Sequence, residues 1–114
     1  MASDGDRSRE ESLAKNEALF RDINERIEQA AQRDGMSSEK YGFVCECASD
    51  DCFELIHITV GDYEHVRTDP VRFIVIEGHE APEIEEIVER HAGYYIVAKT
   101  GPEQQIVKDA DPRS

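Results

Sequence analysis

The sequence predicts an α+β domain: one N-terminal amphipathic helix packed on a small antiparallel β-sheet, with a cysteine-rich hairpin tip. Three observations lead there. Apolar residues recur at helical spacing between Leu19 and Ala31. From Tyr41 onward, short β-forming runs alternate with turn signals. All three cysteines fall between Phe43 and Cys52, in the pattern C-x-C-x4-C.

Residues 1–10 are small and charged and read as a disordered tail. Ser8 with Glu11 fits a capping box, so a helix can begin there. Leu19, Phe20, Ile23, Ile27, Ala30 and Ala31 then form an apolar stripe, with Arg21, Asp22, Glu25, Arg26 and Glu28 between them. Gly35, just past Arg33, is a natural stop. The stripe is expected to cover the domain's own sheet; docking on a partner, or dimerisation, is the alternative.

Met36 to Lys40 is a polar connector. Phe43, Cys45 and Cys47 then alternate onto one face of a strand, and Val44 and Glu46 onto the other. Ala48-Ser49-Asp50-Asp51 reads as a turn and Phe53 to Val60 as the returning strand. Thr59 caps a short helix over residues 60–68, with Asp62 at its third position and Tyr63 and Val66 facing inward. Asp69-Pro70 ends it.

Arg72 to Ile76 is a compact apolar strand, and Glu77-Gly78-His79-Glu80 turns away from it. Pro82 to Lys99 admits two readings. Ile84, Ile87 and Val88 fit a helix starting near Pro82. Against that, His91-Ala92-Gly93 and the run Tyr94 to Val97 favour a β-hairpin, with strands near 84–90 and 94–99. The hairpin is preferred. Gly101-Pro102 closes a single domain spanning residues 11–101, and residues 102–114 read as a tail that carries at most a short strand at Ile106-Val107.

The net charge is -13, from 26 acidic against 13 basic residues. A phosphate-backbone binder needs Lys and Arg to displace counterions, so direct nucleic-acid binding is not expected. A basic protein partner fits this charge, and so does solubility alone. Met1 to Ser12 has no apolar signal-like core and no long apolar run follows, so no membrane contact is expected and the location read is cytoplasmic. Thiols stay reduced there, and clustered cysteines bind metal more often than they pair. A domain this small also gains from a metal staple.

Cys45 and Cys47 point the same way from a strand, and the turn returns Cys52 to them. A fourth ligand from a distant loop completes a tetrahedron. His79, in a Gly-flanked turn, is the best placed; Asp50, Asp51 or water are the alternatives. His57 lies roughly 16 Å along the strand from Cys52 at ~3.3 Å per residue, too far without a bend. His65 and His91 read as surface residues. Three thiolates and one imidazole suit Zn²⁺, whereas an iron–sulfur cluster normally takes four thiolates.

Glu46, Asp50 and Asp51 surround the thiols. Their charge disfavours a free, reactive thiolate, and a bound dication reverses that effect. Three inert buried cysteines, or a Cys47–Cys52 disulfide, are the competing explanations.

Elsewhere, Glu77, Glu80, Glu83, Glu85, Glu86 and Glu89 crowd one stretch free of Lys and Arg until Arg90. This is either an acidic docking face for a basic partner or a solvated edge that resists aggregation. No Gly-rich phosphate loop, nucleophile elbow or H-E-x-x-H is present.

The runs Asn16 to Arg21, Phe43 to Cys47, Tyr63 to Arg67, Gly78 to Glu80 and Val88 to Tyr94 resemble a group of small uncharacterised bacterial proteins, mostly actinobacterial. The resemblance covers about residues 16–99. It implies that the C-x-C-x4-C cluster and the Gly-His element belong together, and it implies no activity. The C-x-C…C…H order is also loosely similar to SWIM-type zinc modules, but this sequence lacks a histidine two residues after Cys52.

The expected function is a small acidic zinc-binding protein acting as a non-catalytic interaction or regulatory module, with Cys45, Cys47, Cys52 and His79 on a structural Zn²⁺. The alternatives are a small metal-dependent enzyme with an open coordination position, and a thiol redox sensor if no metal is held.

Overall fold

The N-terminal segment winds into one long helix, α1 (Ser3–Asp34), in a computed structural model that describes residues 3–35, 38–49 and 51–113, with residues 3–7 and 34 as backbone only. The helix starts five residues before the expected cap at Ser8 and takes up much of the expected tail. Arg9 ties this end to Glu83 by an ion pair of 2.8 Å. At the other end Gly35 takes φ +70, a left-handed conformation that ends the helix as expected.

The buried face of α1 is not the apolar stripe read from the sequence. Ala14, Glu17, Ala18, Arg21, Asn24, Glu25, Glu28 and Ala31 recur at helical spacing and are all buried, whereas Leu19 is 57% exposed and Ile23 38%. Phe20 is buried as well, and Ile27 packs against the core. Burying so many charged groups is tolerated because each meets a partner. Arg21 donates to the carbonyls of Pro70 and Val107 at 2.8 and 2.7 Å and lies over the Phe73 ring. Glu17 pairs with buried Lys99, which also pairs with buried Glu85. Glu25 pairs with Arg67 and Arg113, and Glu28 with Arg113.

The antiparallel hairpin of β1 (Lys40–Val44) and β2 (Leu55–Thr59) follows. Asn24 of α1 covers the edge of β1 with both ends of its carboxamide. Its Oδ1 accepts from the Val44 N–H at 2.7 Å and its Nδ2 donates to the Val44 carbonyl at 2.8 Å. Thr59 and Asp62 form the expected capping box of α2 (Val60–Val66), which buries Tyr63 and Val66. Tyr63 stacks on Phe43 with ring centroids 4.6 Å apart.

A second antiparallel sheet comprises β3 (Arg72–Ile76), β4 (Glu85–His91) and β5 (Tyr94–Lys99), in the order β3-β5-β4. The preferred hairpin reading of this region holds, turning at Gly93, and a register shift between Ile87 and Glu89 marks a bulge. The core lies between α1 and the two sheets, with Phe43, Ile56, Phe73, Ile74, Ile96 and Val97 at its centre.

The expected C-terminal tail is instead helix α3 (Glu103–Asp109), which packs on α1. Pro102 sets its entry, and Glu103 and Lys108 sit at the ends their charges favour. Ile106-Val107 is therefore helical rather than a strand, and Val107 is fully buried. Arg113, beyond it, bridges Glu25, Glu28 and Glu64.

Candidate metal centre

Regular pairing in the first hairpin stops at Val44, three residues short of the expected end, but the chain stays extended. The Cys45 N–H donates to the Glu54 carbonyl at 2.9 Å, and the Glu46 N–H donates to the Ile74 carbonyl of β3 at 2.8 Å. The cysteine segment therefore leaves one sheet and joins the other. That places the Cys45 thiol beside the end of β3, where it accepts from the Ile76 N–H at 3.2 Å.

Cys45 and Cys47 are buried and Cys52 is partly exposed; none is in a disulfide. The turn is built at Ser49, whose carbonyl accepts from the Cys52 N–H at 3.3 Å and whose hydroxyl accepts from the Asp51 N–H at 3.3 Å. Asp50 lies outside the described residues.

His79 arrives from the turn after β3. Its N–H donates to the Ile76 carbonyl at 2.8 Å, and Gly78 before it takes φ +93, a conformation glycine adopts without strain. The ring presents Nδ1 to the sulfurs, 3.7 Å from Cys45 Sγ and 3.6 Å from Cys52 Sγ. Its Nε2 faces Glu54 Oε2 at 3.3 Å.

One ligand atom from each of Cys45, Cys47, Cys52 and His79 lies within 4.8 Å of all the others, so this group can hold a metal ion. The histidine spacing has a physical reference. In a tetrahedral site with metal–sulfur bonds of ~2.3 Å and metal–nitrogen bonds of ~2.0–2.1 Å, a sulfur–nitrogen edge is ~3.6 Å. Both sulfur–nitrogen distances quoted above match it.

The thiols perturb one another. Cys47, beside it, and burial push the Cys45 thiol up. Cys47 is pulled down to about 5, chiefly by its hydrogen bond with Cys45 and against the effect of burial. Burial raises Cys52. A metal ion bound here would displace the thiol protons.

Glu46 does not surround the thiols as expected. Its fully buried carboxylate accepts from Asn24 Nδ2 at 2.8 Å, the Tyr63 hydroxyl at 2.7 Å and the Ile74 N–H at 3.0 Å. Burial raises its pKa, and these donors offset that only in part. Strand alternation had already assigned Glu46 to the face opposite the cysteines, and its carboxylate is buried there. Asp51 does border the site. It lines an open cavity of about 570 Å³ with Ser49, Phe53, Glu54 and three of the four ligand residues, Cys47, Cys52 and His79.

The remaining histidines stay apart from the cluster. His57 is exposed on β2. His65 and His91 both contact Glu89, at 2.8 and 2.9 Å. The acids from Glu77 to Glu89 do not form one free face. Glu85 is buried against Lys99, Glu83 holds Arg9, and Glu77 accepts from the Tyr95 hydroxyl at 2.9 Å. Among the described residues no helix is long and apolar enough to cross a membrane.

Sequence reasoning missed Glu54 and Glu46 as supports of the site. The signal available for Glu54 was its position two residues after Cys52; for Glu46 it was the alternation itself. Comparison of the chain with protein-family models, curated proteins and solved structures finds no match.

Proposed function

We propose that Cys45, Cys47, Cys52 and His79 hold one structural Zn²⁺, and that the chain is a non-catalytic interaction or regulatory module in a reducing compartment such as the cytoplasm. The observation that carries this reading is the tetrahedral-edge spacing of His79 Nδ1 from two sulfurs, 3.6 and 3.7 Å. Four protein donors fill a tetrahedral shell and leave no place for water or substrate, which is the mark of structural rather than catalytic zinc. Three soft thiolates with an imidazole favour zinc over hard cations.

The ligands come from the end of β1, the hairpin turn and the turn after β3, so a bound ion cross-links both sheets. This is the staple that a domain of 114 residues benefits from. A net charge of -13 suits a basic protein partner. Phe53, 78% exposed at the cavity beside the site, offers such a partner an apolar anchor.

The lowered Cys47 thiol, to about 5, favours a second reading for metal-free protein, a thiol redox sensor. Elemental analysis of the full chain, purified without chelator, tests the first. About one zinc per chain is expected for a closed site. Protein that is folded, reduced and free of metal sinks it and leaves the redox reading.

A further inference from the structure

Glu54 touches three of the four residues of the metal centre. Its carbonyl accepts the Cys45 N–H at 2.9 Å. Its own N–H pulls the Cys52 thiol down, against burial. Its carboxylate reaches the far side of the His79 ring, with Oε2 3.3 Å from Nε2. The two backbone contacts belong to the hairpin and survive any substitution. The carboxylate contact depends on the side chain.

We propose that Glu54 is the positioning residue of this centre, and that its carboxylate selects which histidine nitrogen binds the metal. The inference rests on the zinc reading above. A neutral imidazole carries one proton, and the nitrogen without it is the one that can ligate. A carboxylate beside Nε2 holds the proton there. Nδ1, the nitrogen 3.6 and 3.7 Å from two sulfurs, then carries the free lone pair. A carboxylate partner at Nε2 also makes the imidazole a better donor.

Cys45 and Cys47 have no equivalent need. Cys45 is held by the Ile76 N–H at 3.2 Å and by its own burial. Cys47 is buried too. His79 reaches the site from a separate turn on a rotatable side chain that is 33% exposed. Without a partner at Nε2 only the two sulfurs at Nδ1 orient the ring. Glu54 is itself 61% exposed, so water weakens the contact and the effect lies at the lower end of the usual range for such partners.

The test is zinc affinity of the full chain, measured by competition with a chromophoric chelator. Glu54→Ala is expected to weaken zinc binding about tenfold. Glu54→Gln, which keeps an oxygen able to accept the Nε2 proton, recovers most of that loss. In a His79→Cys background, where a fourth thiolate completes the shell, Glu54→Ala changes affinity less than about twofold, because no imidazole remains to orient. Long-range proton–nitrogen NMR of zinc-loaded wild type gives an independent readout and needs no variant: Nε2 is protonated and Nδ1 is metal-bound.

Zinc on Nε2 overturns the proposal. So does Glu54→Ala that binds zinc as wild type does, or that loses as much affinity in the His79→Cys background. If wild type takes up no zinc, the metal reading falls with it. If wild type takes up zinc and any of the three results above appears, the assignment of Glu54 alone falls.

Discussion

Tyr63 donates its hydroxyl to the Glu46 carboxylate at 2.7 Å in the middle of the core, although Glu46 lies between two cysteines in the sequence. The contact joins the cysteine segment to α2. With the bonds from Asn24 and Ile74 it makes Glu46 the point where helix, hairpin and second sheet meet. Glu46→Ala leaves three buried donors unmatched and should destabilise the fold by about 3 kcal/mol or more. Tyr63→Phe removes one of them and should destabilise by about 1.5–3 kcal/mol. Urea unfolding of metal-loaded protein measures both, and equal stabilities would show that Glu46 supports nothing.

Lys99 is enclosed by Glu17, Glu85 and the Phe73 ring, with no exposed side-chain surface. Burial and the neighbouring Glu85 raise Glu17 well above the usual carboxylate range. Lys99→Met strands two buried carboxyl groups and should lower stability by about 3–5 kcal/mol. The triple variant with Glu17→Gln and Glu85→Gln should regain much of it. A Lys99→Met protein as stable as wild type would count against this account.

Glu28 gives the fold an unusual response to pH. Burial, with Glu64 and Glu25 nearby, raises its carboxyl to about 8, against the pull of Arg113. In the unfolded chain it returns to about 4.3. Between these values the folded state binds more protons than the unfolded one, so this group's contribution is full below the lower value and is lost as pH rises through the higher. Urea midpoints at about pH 6 and about pH 8.5 should therefore fall more in wild type than in Glu28→Gln. Parallel slopes in the two proteins would exclude Glu28 as the source.

On the proposed zinc reading, removing the ion should loosen the whole domain, because the four candidate ligand residues span both sheets. At free zinc about a thousandfold above Kd, binding adds about 4 kcal/mol, and a chelator should take that away together with several degrees of Tm. His79→Ala should weaken metal retention and this stabilisation together. Calorimetry with and without chelator decides it: a Tm indifferent to both changes leaves no structural role for the metal.

Where local chemistry decides the structure, the sequence was easy to read. Thr59 with Asp62 marked α2, Gly35 marked the end of α1, and the β-forming runs at Arg72 to Ile76 and Tyr94 to Lys99 stand where they were expected. The gathering of Cys45, Cys47, Cys52 and His79 was legible because few residue types can hold a soft metal ion. The buried face of α1 was not, because its charged residues become buriable only through partners far along the chain. Arg21 finds the Val107 carbonyl and Glu17 finds Lys99. No periodicity of apolar residues encodes that. Helix α3 was missed for a related reason, since its burial depends on α1 already being in place.

The carboxamide of Asn24 has a consequence beyond holding α1 to β1. By occupying both the N–H and the carbonyl of Val44, it behaves as the last rung of a ladder that would otherwise stay open. A β-rich chain approaching the hairpin at that position finds no main-chain group left to bind. The helix therefore closes the edge of β1 to strand addition at Val44.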